Sequence, residues 1–177
     1  MSPEPLPMLL DARKAATRAV HIQGGLRPAQ VPEFAALLAG DEGTIAVDLE
    51  FSKDDQERYV VQLKVEADVA VTCQRCLGPM LQHISGNTQL AVVMTDQQAA
   101  ALPRHLDPLM VEGQMCNLHA LVEEELILAL PPFNYHKQSE CSVSLAMYAD
   151  PIEEPEQART NPFKVLGRLK LDEEHQE

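Results

Sequence analysis

Between Val61 and Cys73 every odd-numbered position is small or apolar: Val61, Leu63, Val65, Ala67, Val69, Val71 and Cys73. Gln62, Lys64, Glu66, Asp68 and Thr72 fall between them. A strand turns successive side chains to opposite faces, so this run makes a ribbon with one apolar face that some other element must cover. The same period precedes it in Thr44 to Ser52, where Ile45, Val47, Leu49 and Phe51 alternate with polar residues. It resumes after the turn CQRCLGP, in Ile84, Gly86, Thr88, Leu90, Val92 and Met94. Three strands between residues 44 and 94 are therefore expected as an antiparallel meander, with the Cys-x-x-Cys at a hairpin tip.

Outside this region the period changes. Asn117 to Leu130 reads as a helix: Asn117 supplies a cap, Leu118, Leu121, Val122, Leu126 and Ala129 share a face, and Pro131-Pro132 stops it. Two N-terminal helices are expected within residues 9–38. One runs from Leu9 to Val20 and ends at Gln23-Gly24-Gly25; the other runs from Ala29 to Leu38 and ends at Gly40. Asp96 to Pro108 reads as a connection with about one helical turn. The fold class is thus α+β, an antiparallel meander packed against helices, with a main domain over residues 1–136. Residues 137–160 are acidic and proline-punctuated and read as a linker. Asn161-Pro162 followed by Phe163, Leu166 and Leu169 reads as a short tail helix within 161–177.

Composition limits the function. The chain has 177 residues, no Trp and only 4% aromatics, so its core must be aliphatic. No stretch approaches the roughly 18 apolar residues of a membrane span, so no membrane partner is expected. Met1 to Met8 lacks a basic segment followed by an apolar run, and the expected location is the cytoplasm. The formal net charge is -13, the wrong sign for coating naked RNA. Charge is unevenly spread, and the acids invite two readings, a solvating surface or a site for a basic partner. On the second, Asp48, Glu50, Glu123 and Glu124 are the candidate partner-binding residues, while Arg13, Lys14 and Arg18 are candidates for local RNA contact.

Cys73-Gln74-Arg75-Cys76 has the spacing at which two sulfurs reach one tetrahedral Zn2+. His136 and Cys141 follow the Pro131-Pro132 stop and complete a candidate Cys3His set for one structural zinc. The alternatives are a reduced thiol pair packed at the sheet end and a redox pair. No helix begins at the Cys-x-x-Cys to lower a reactive thiol's pKa, which argues against the redox pair. Cys116 and His119, one turn apart on an amphipathic helix, read as core and surface fillers. Glu123, Glu124 and Glu125 are consecutive on a helix and point in different directions, so they cannot converge as an acid and base. No phosphate-binding loop, GxSxG elbow or HExxH is present. No catalytic residue is assigned.

CQRCLGPM at 73–80, VEEELILALPPFNYH at 122–136, Cys141 and NPFKVLGRLK at 161–170 together resemble the YceD family of large ribosomal RNA subunit accumulation proteins. The resemblance implies a role in synthesis, processing or stability of 23S ribosomal RNA, with no enzymatic activity attached. Many relatives carry more cysteine where this chain has His136 and Cys141, and that departure bears on the metal set. The expected function is a non-catalytic factor in ribosome biogenesis that binds a large-subunit ribosomal protein or a precursor particle and reaches 23S rRNA indirectly. The alternatives are an RNA-processing enzyme and a zinc-stabilised interaction module. The oligomeric state is left open.

Overall fold

The computed structural model describes residues 4–111 and 113–143, together with Met147 and Phe163. The chain divides into two compact units, Met1–Val143 and Ser144–Glu177. The expected tail helix, apart from Phe163, and the expected linker from Ser144 onward, apart from Met147, lie outside the described residues.

The elements run β1 (Leu9–Asp11), α1 (Ala12–Thr17), β2 (His21–Leu26), a 3-10 turn (Pro28–Gln30), α2 (Pro32–Ala35), β3 (Ile45–Lys53), β4 (Tyr59–Thr72), β5 (Pro79–Val93), α3 (Asp96–Ala100), β6 (Asp107–Met110), β7 (Met115–Asn117) and α4 (Leu118–Ala129). Strands β3, β4 and β5 form the expected antiparallel meander, with Val47 opposite Val65 and Val65 opposite Gly86. Strands β2 and β6 extend it to a five-stranded sheet in the order β2-β3-β4-β5-β6, where β6 is parallel to β5. A two-stranded pair, β1 with β7, stands apart from it.

The odd positions of β3 and β4 form one buried face. Leu49, Phe51, Leu63 and Val65 meet Ala12, Ala15 and Ala16 of α1, Phe34 of α2 and Leu118, Val122 and Leu126 of α4 in a single core. Small residues on α1 let a six-residue helix lie close to the sheet. A glycine serves the same end under α4. A Cβ at Gly86 would sit 2.5 Å from Glu125 Oε1 and 2.9 Å from Val65 Cγ2, so any larger residue would force the Glu125 and Val65 side chains to shift. Among the described residues, the other face of the sheet is covered at one end, where Val60, Ala91 and Leu106 make a small second cluster.

The N-terminal region differs from expectation. Leu9–Asp11 pairs with Met115–Asn117 instead of starting the helix, and α1 begins at Ala12, where the Asp11 side chain accepts from Lys14 N at 2.9 Å. Gly24 and Gly25, read as a helix stop, lie inside β2. A Cβ at Gly24 would meet Glu4 O at 2.9 Å, and Gly25 N donates to the same carbonyl at 2.8 Å, so glycine here admits a crossing backbone. The second expected helix is reduced to the 3-10 turn and α2, because Pro32 has no N–H to continue a helix from Pro28–Gln30. By contrast α4 follows expectation: Asn117 Oδ1 accepts from His119 N at 3.1 Å and Ala120 N at 3.2 Å.

The Glu125 carboxyl, pressed against the sheet, is pushed above the usual carboxylate range by burial and, secondarily, by the charge of Asp107. A folded pKa raised above the unfolded one means that this carboxyl costs stability once ionised. The relative stability it provides is present below the ordinary glutamate pKa and lost as pH rises through the folded value. Glu125→Gln is expected to melt higher than the parent at neutral pH, by no more than about 1 kcal/mol because the group is partly solvated. That gain should disappear in thermal melts below about pH 4. A gain that persists in acid would point to a cause other than ionisation.

Candidate metal centre and the surfaces around it

The turn between β4 and β5 closes on itself: Cys73 N donates to Gly78 O at 2.9 Å and Leu77 N to Cys73 O at 2.8 Å. Leu77 sits at φ 59, the left-handed region that a branched residue enters only under constraint. A second segment, after Pro131-Pro132 ends α4, is fastened to this turn. Gln74 N donates to Asn134 O at 2.9 Å, and His136 N to Cys73 Sγ at 3.4 Å. Lys137 O then receives Glu140 N at 2.9 Å and Cys141 N at 3.1 Å, a single helical turn that brings Cys141 back toward the hairpin. Residues 137–143, expected as the start of a linker, therefore belong to the main unit.

The ligand atoms of Cys73, Cys76, His136 and Cys141 all lie within 4.8 Å of one another, a Cys3His group close enough to hold a metal ion. Tetrahedral zinc with sulfur bonds near 2.3 Å separates its sulfurs by about 3.8 Å, so only a small contraction is needed. Nε2 of His136 lies 3.2 Å from Pro79 O, and a carbonyl can only accept, so Nε2 carries a proton and donates it there. Nδ1, 3.3 Å from Cys76 Sγ, faces the sulfurs. A backbone carbonyl fixing the outer nitrogen is the usual way a metal-ligating imidazole is oriented.

The local field favours thiolate. Burial opposes ionisation of Cys73, but the N–H groups of Cys76, His136 and Arg75 more than offset it and hold the thiol at about 5. The Gly78 N–H lowers the pKa of Cys76 against burial and the neighbouring Cys73. The Val143 N–H draws the Cys141 thiol down, yet burial and the other two sulfurs leave it raised. His136 is raised by its contacts with Cys73 and Cys76. Two sulfurs primed as anions beside an imidazole are the donor chemistry that a soft divalent cation takes. Cys116 and His119 are not in this group; both are buried, with His119 Nε2 3.1 Å from Leu6 O.

The acidic candidates separate into two places. Asp48 and Glu50 lie on the outward-facing positions of β3, on the open face of the sheet. Asp48 accepts from Gln23 Nε2 at 2.8 Å and meets His21 Nε2 at 2.8 Å. The Gln23 bond, with His21 and Lys64 and against some burial, holds its carboxyl below the usual range. Glu66 and Asp68, the matching outward positions of β4, join the same face, and Asp68 meets His83 Nδ1 at 2.9 Å. Sequence reasoning passed over these two acids, although the alternation that predicted β4 also assigns them to the open face. On α4, Glu123 turns inward: its Oε1 accepts from Glu33 N at 2.7 Å and Phe34 N at 3.2 Å, capping α2. Glu124 is exposed.

Arg13, Lys14 and Arg18 lie exposed on α1 and its C-terminal cap. The Arg13 guanidinium is 4.9 Å from the centre of the Tyr59 ring, and Lys14 Nζ is 3.6 Å from Asp11. Among the described residues, no helix is long and apolar enough to cross a membrane.

Residues 61–170 match the family described as Large ribosomal RNA subunit accumulation protein YceD. A protein of that description from Haemophilus influenzae is 33% identical over 167 residues, covering 93% of this chain and 96% of the relative. No solved structure matches. The matched span takes in all but the first two residues of β4, all of β5 and α4, and all four members of the Cys3His group, and on this extent of similarity the chain belongs to the YceD family.

Proposed function

We propose that this chain is a non-catalytic assembly factor that supports accumulation of large-subunit ribosomal RNA by binding a basic ribosomal protein, or a precursor particle that carries one, in the cytoplasm. The observation that carries this reading is the open face of the sheet, where Asp48, Glu50, Glu66 and Asp68 stand against the single lysine Lys64. An acidic platform on a chain of net charge -13 attracts cationic protein and repels bare phosphate. Loss of an escort for a ribosomal protein leaves a precursor particle incomplete and its RNA open to degradation, so an accumulation defect needs no nuclease in this protein. Arg13, Lys14 and Arg18 offer at most a local contact to RNA, since Arg13 is laid on Tyr59 and Lys14 is beside Asp11.

In the same reading Cys73, Cys76, His136 and Cys141 hold one structural zinc. The ion's part is to fasten the loop after α4 to the hairpin tip; with three sulfurs and a nitrogen as ligands it has no open position for a substrate. The test of the partner is binding of isolated large-subunit proteins and of precursor 23S RNA across a salt series, with Glu50→Lys and Glu124→Lys as charge reversals. Glu123 is spared because it caps α2. At least one basic ribosomal protein is expected to bind at low salt and to weaken as salt screens exposed pairs beyond about 8 Å. Tight binding to the bare RNA, with no affinity for any of the proteins, would defeat the reading.

A further inference from the structure

Strand β5 is far longer than its second neighbour. It pairs with β4 along its length from Pro79 to Ala91, but β6 reaches it only from Leu90 to Val93. Backbone direction along the sheet can be followed from bond to bond. Phe51 N donates outward from β3 to Val20 O, and Val111 N donates to Val93 O. His136 Nε2 reaches Pro79 O. Odd-numbered residues of β5 therefore turn their N–H and C=O away from β4. Pro79, which has no N–H to give, fits this parity. Leu81, His83, Ser85 and Asn87 then present a row of backbone donors and acceptors to which no described strand pairs, the His83 carbonyl alone being met by the Gln82 side chain at 2.8 Å. A bare edge of this length is a template for another strand, and proteins commonly blunt such edges.

We infer that the free edge of β5 from Leu81 to Asn87 accepts an extended cationic segment of a partner protein as an added strand. Three features beside the edge favour that occupant. The side chains of Glu66 and Asp68 lie on the open face one strand in, opposite Ser85 and His83, where the side chains on one face of an added strand would approach them. Leu81 is 82% exposed and Leu77 76% exposed at the start of the edge. There a shallow cavity of about 530 Å³, lined by Met80, Leu81 and Tyr135 together with Gln82, Lys137 and Glu140, offers room for a side chain. Basic side chains on one face of an extended backbone match the acids of the open face, and an apolar side chain at the end of that same face matches Leu81. This inference rests on the reading of the protein as a receiver of basic partners and names the backbone that receives them.

The probe is a roughly eight-residue capped peptide of alternating Lys and Val, long enough at about 3.3 Å per residue to span the edge. Two controls are the Glu/Val peptide and a Lys/Val peptide with alternate amides N-methylated, which keeps charge and side chains but removes strand pairing. Amide exchange of Leu81, His83, Ser85 and Asn87 is measured in the full chain, with its mass followed by sedimentation. These amides should exchange freely alone and slow roughly 100-fold when the Lys/Val peptide is present at about 100 times its Kd. The two control peptides should give no protection. Ser85→Pro removes an outward N–H and no bond to β4, and is expected to weaken peptide binding roughly tenfold. Should that variant unfold, the methylated peptide still decides. Equal binding of the methylated or the acidic peptide overturns the proposal. So does protection of the edge in the isolated chain, by a second copy if the mass doubles or by the chain's own residues if it does not. Failure here with ribosomal-protein binding intact removes the edge as the dock and leaves the broader reading standing. Peptide docking with no ribosomal partner upholds the edge and removes the broader reading.

Discussion

A preparation kept reduced and free of chelator is expected to carry one zinc per chain, bound by three sulfurs and one nitrogen in an X-ray absorption spectrum. Stripping that metal should loosen the end of the sheet and the loop after α4. Structural zinc sites contribute on the order of 10 kcal/mol in apparent terms, which rivals the whole stability of about 5–15 kcal/mol of an ordinary domain. Here the loss is tempered, because the aliphatic core between sheet and helices does not include the site. Cys73→Ser, at the buried sulfur that receives the most backbone N–H bonds, is expected to lower the melting temperature by about 10 °C or more, at roughly 2–4 °C per kcal/mol for a chain of this size. His136→Ala should act in the same direction and also release the Pro79 carbonyl. Fewer than about one zinc per several chains, or a melt indifferent to chelator, would sink the metal assignment.

The second large effect is expected at Phe34. A four-residue helix has no stability of its own. Helix α2 persists because the Phe34 ring is fully buried in the core and because Glu123 accepts the N–H groups of Glu33 and Phe34. Phe34→Ala should cost about 3–5 kcal/mol in urea unfolding, since both apolar contact and filled volume are lost. It should also be non-additive with Glu123→Gln, because each substitution removes what the other needs in place. A loss below about 1 kcal/mol would mean that the segment between β2 and β3 is held by something other than this ring.

How far the sequence disclosed the fold depended on whether a residue's environment repeats. The three long strands were legible because one buried face imposes a period of two on Val61 to Cys73 and its neighbours. Strand β2 was not, since Gly24 and Gly25 answer to a close approach by Glu4 and carry no strand propensity. Strand β6 is four residues long and contains Pro108, too little for any period to show. Helix α4 was legible from cap to stop, yet nothing local distinguishes Glu123, which turns to α2, from Glu124, which faces solvent. At the Cys3His group, spacing suggested the two cysteines of the turn. That His136 faces them through Nδ1 depends on the carbonyl of Pro79, a partner fifty-seven residues away.

The pairing of β1 with β7 bears on when the protein becomes complete. Leu9 lies opposite Asn117, about a hundred residues later in the chain, and Leu118 N donates to Met8 O across the same join. The meander and its hairpins are built from near neighbours and can close as they are made, whereas contacts of long sequence separation come late and carry the entropy of a large loop. At about 5–20 residues per second, the first strand waits on the order of 5–20 s for its partner to be synthesised. During that interval Ala12, Ala15 and Ala16 can already rest on β3 and β4, and Glu4 O can already receive Gly25 N, while Leu9–Asp11 remains unpaired. The β1–β7 seam is thus closed late, and a nascent chain cut short before Asn117 would have a nearly finished sheet but an unpaired first strand.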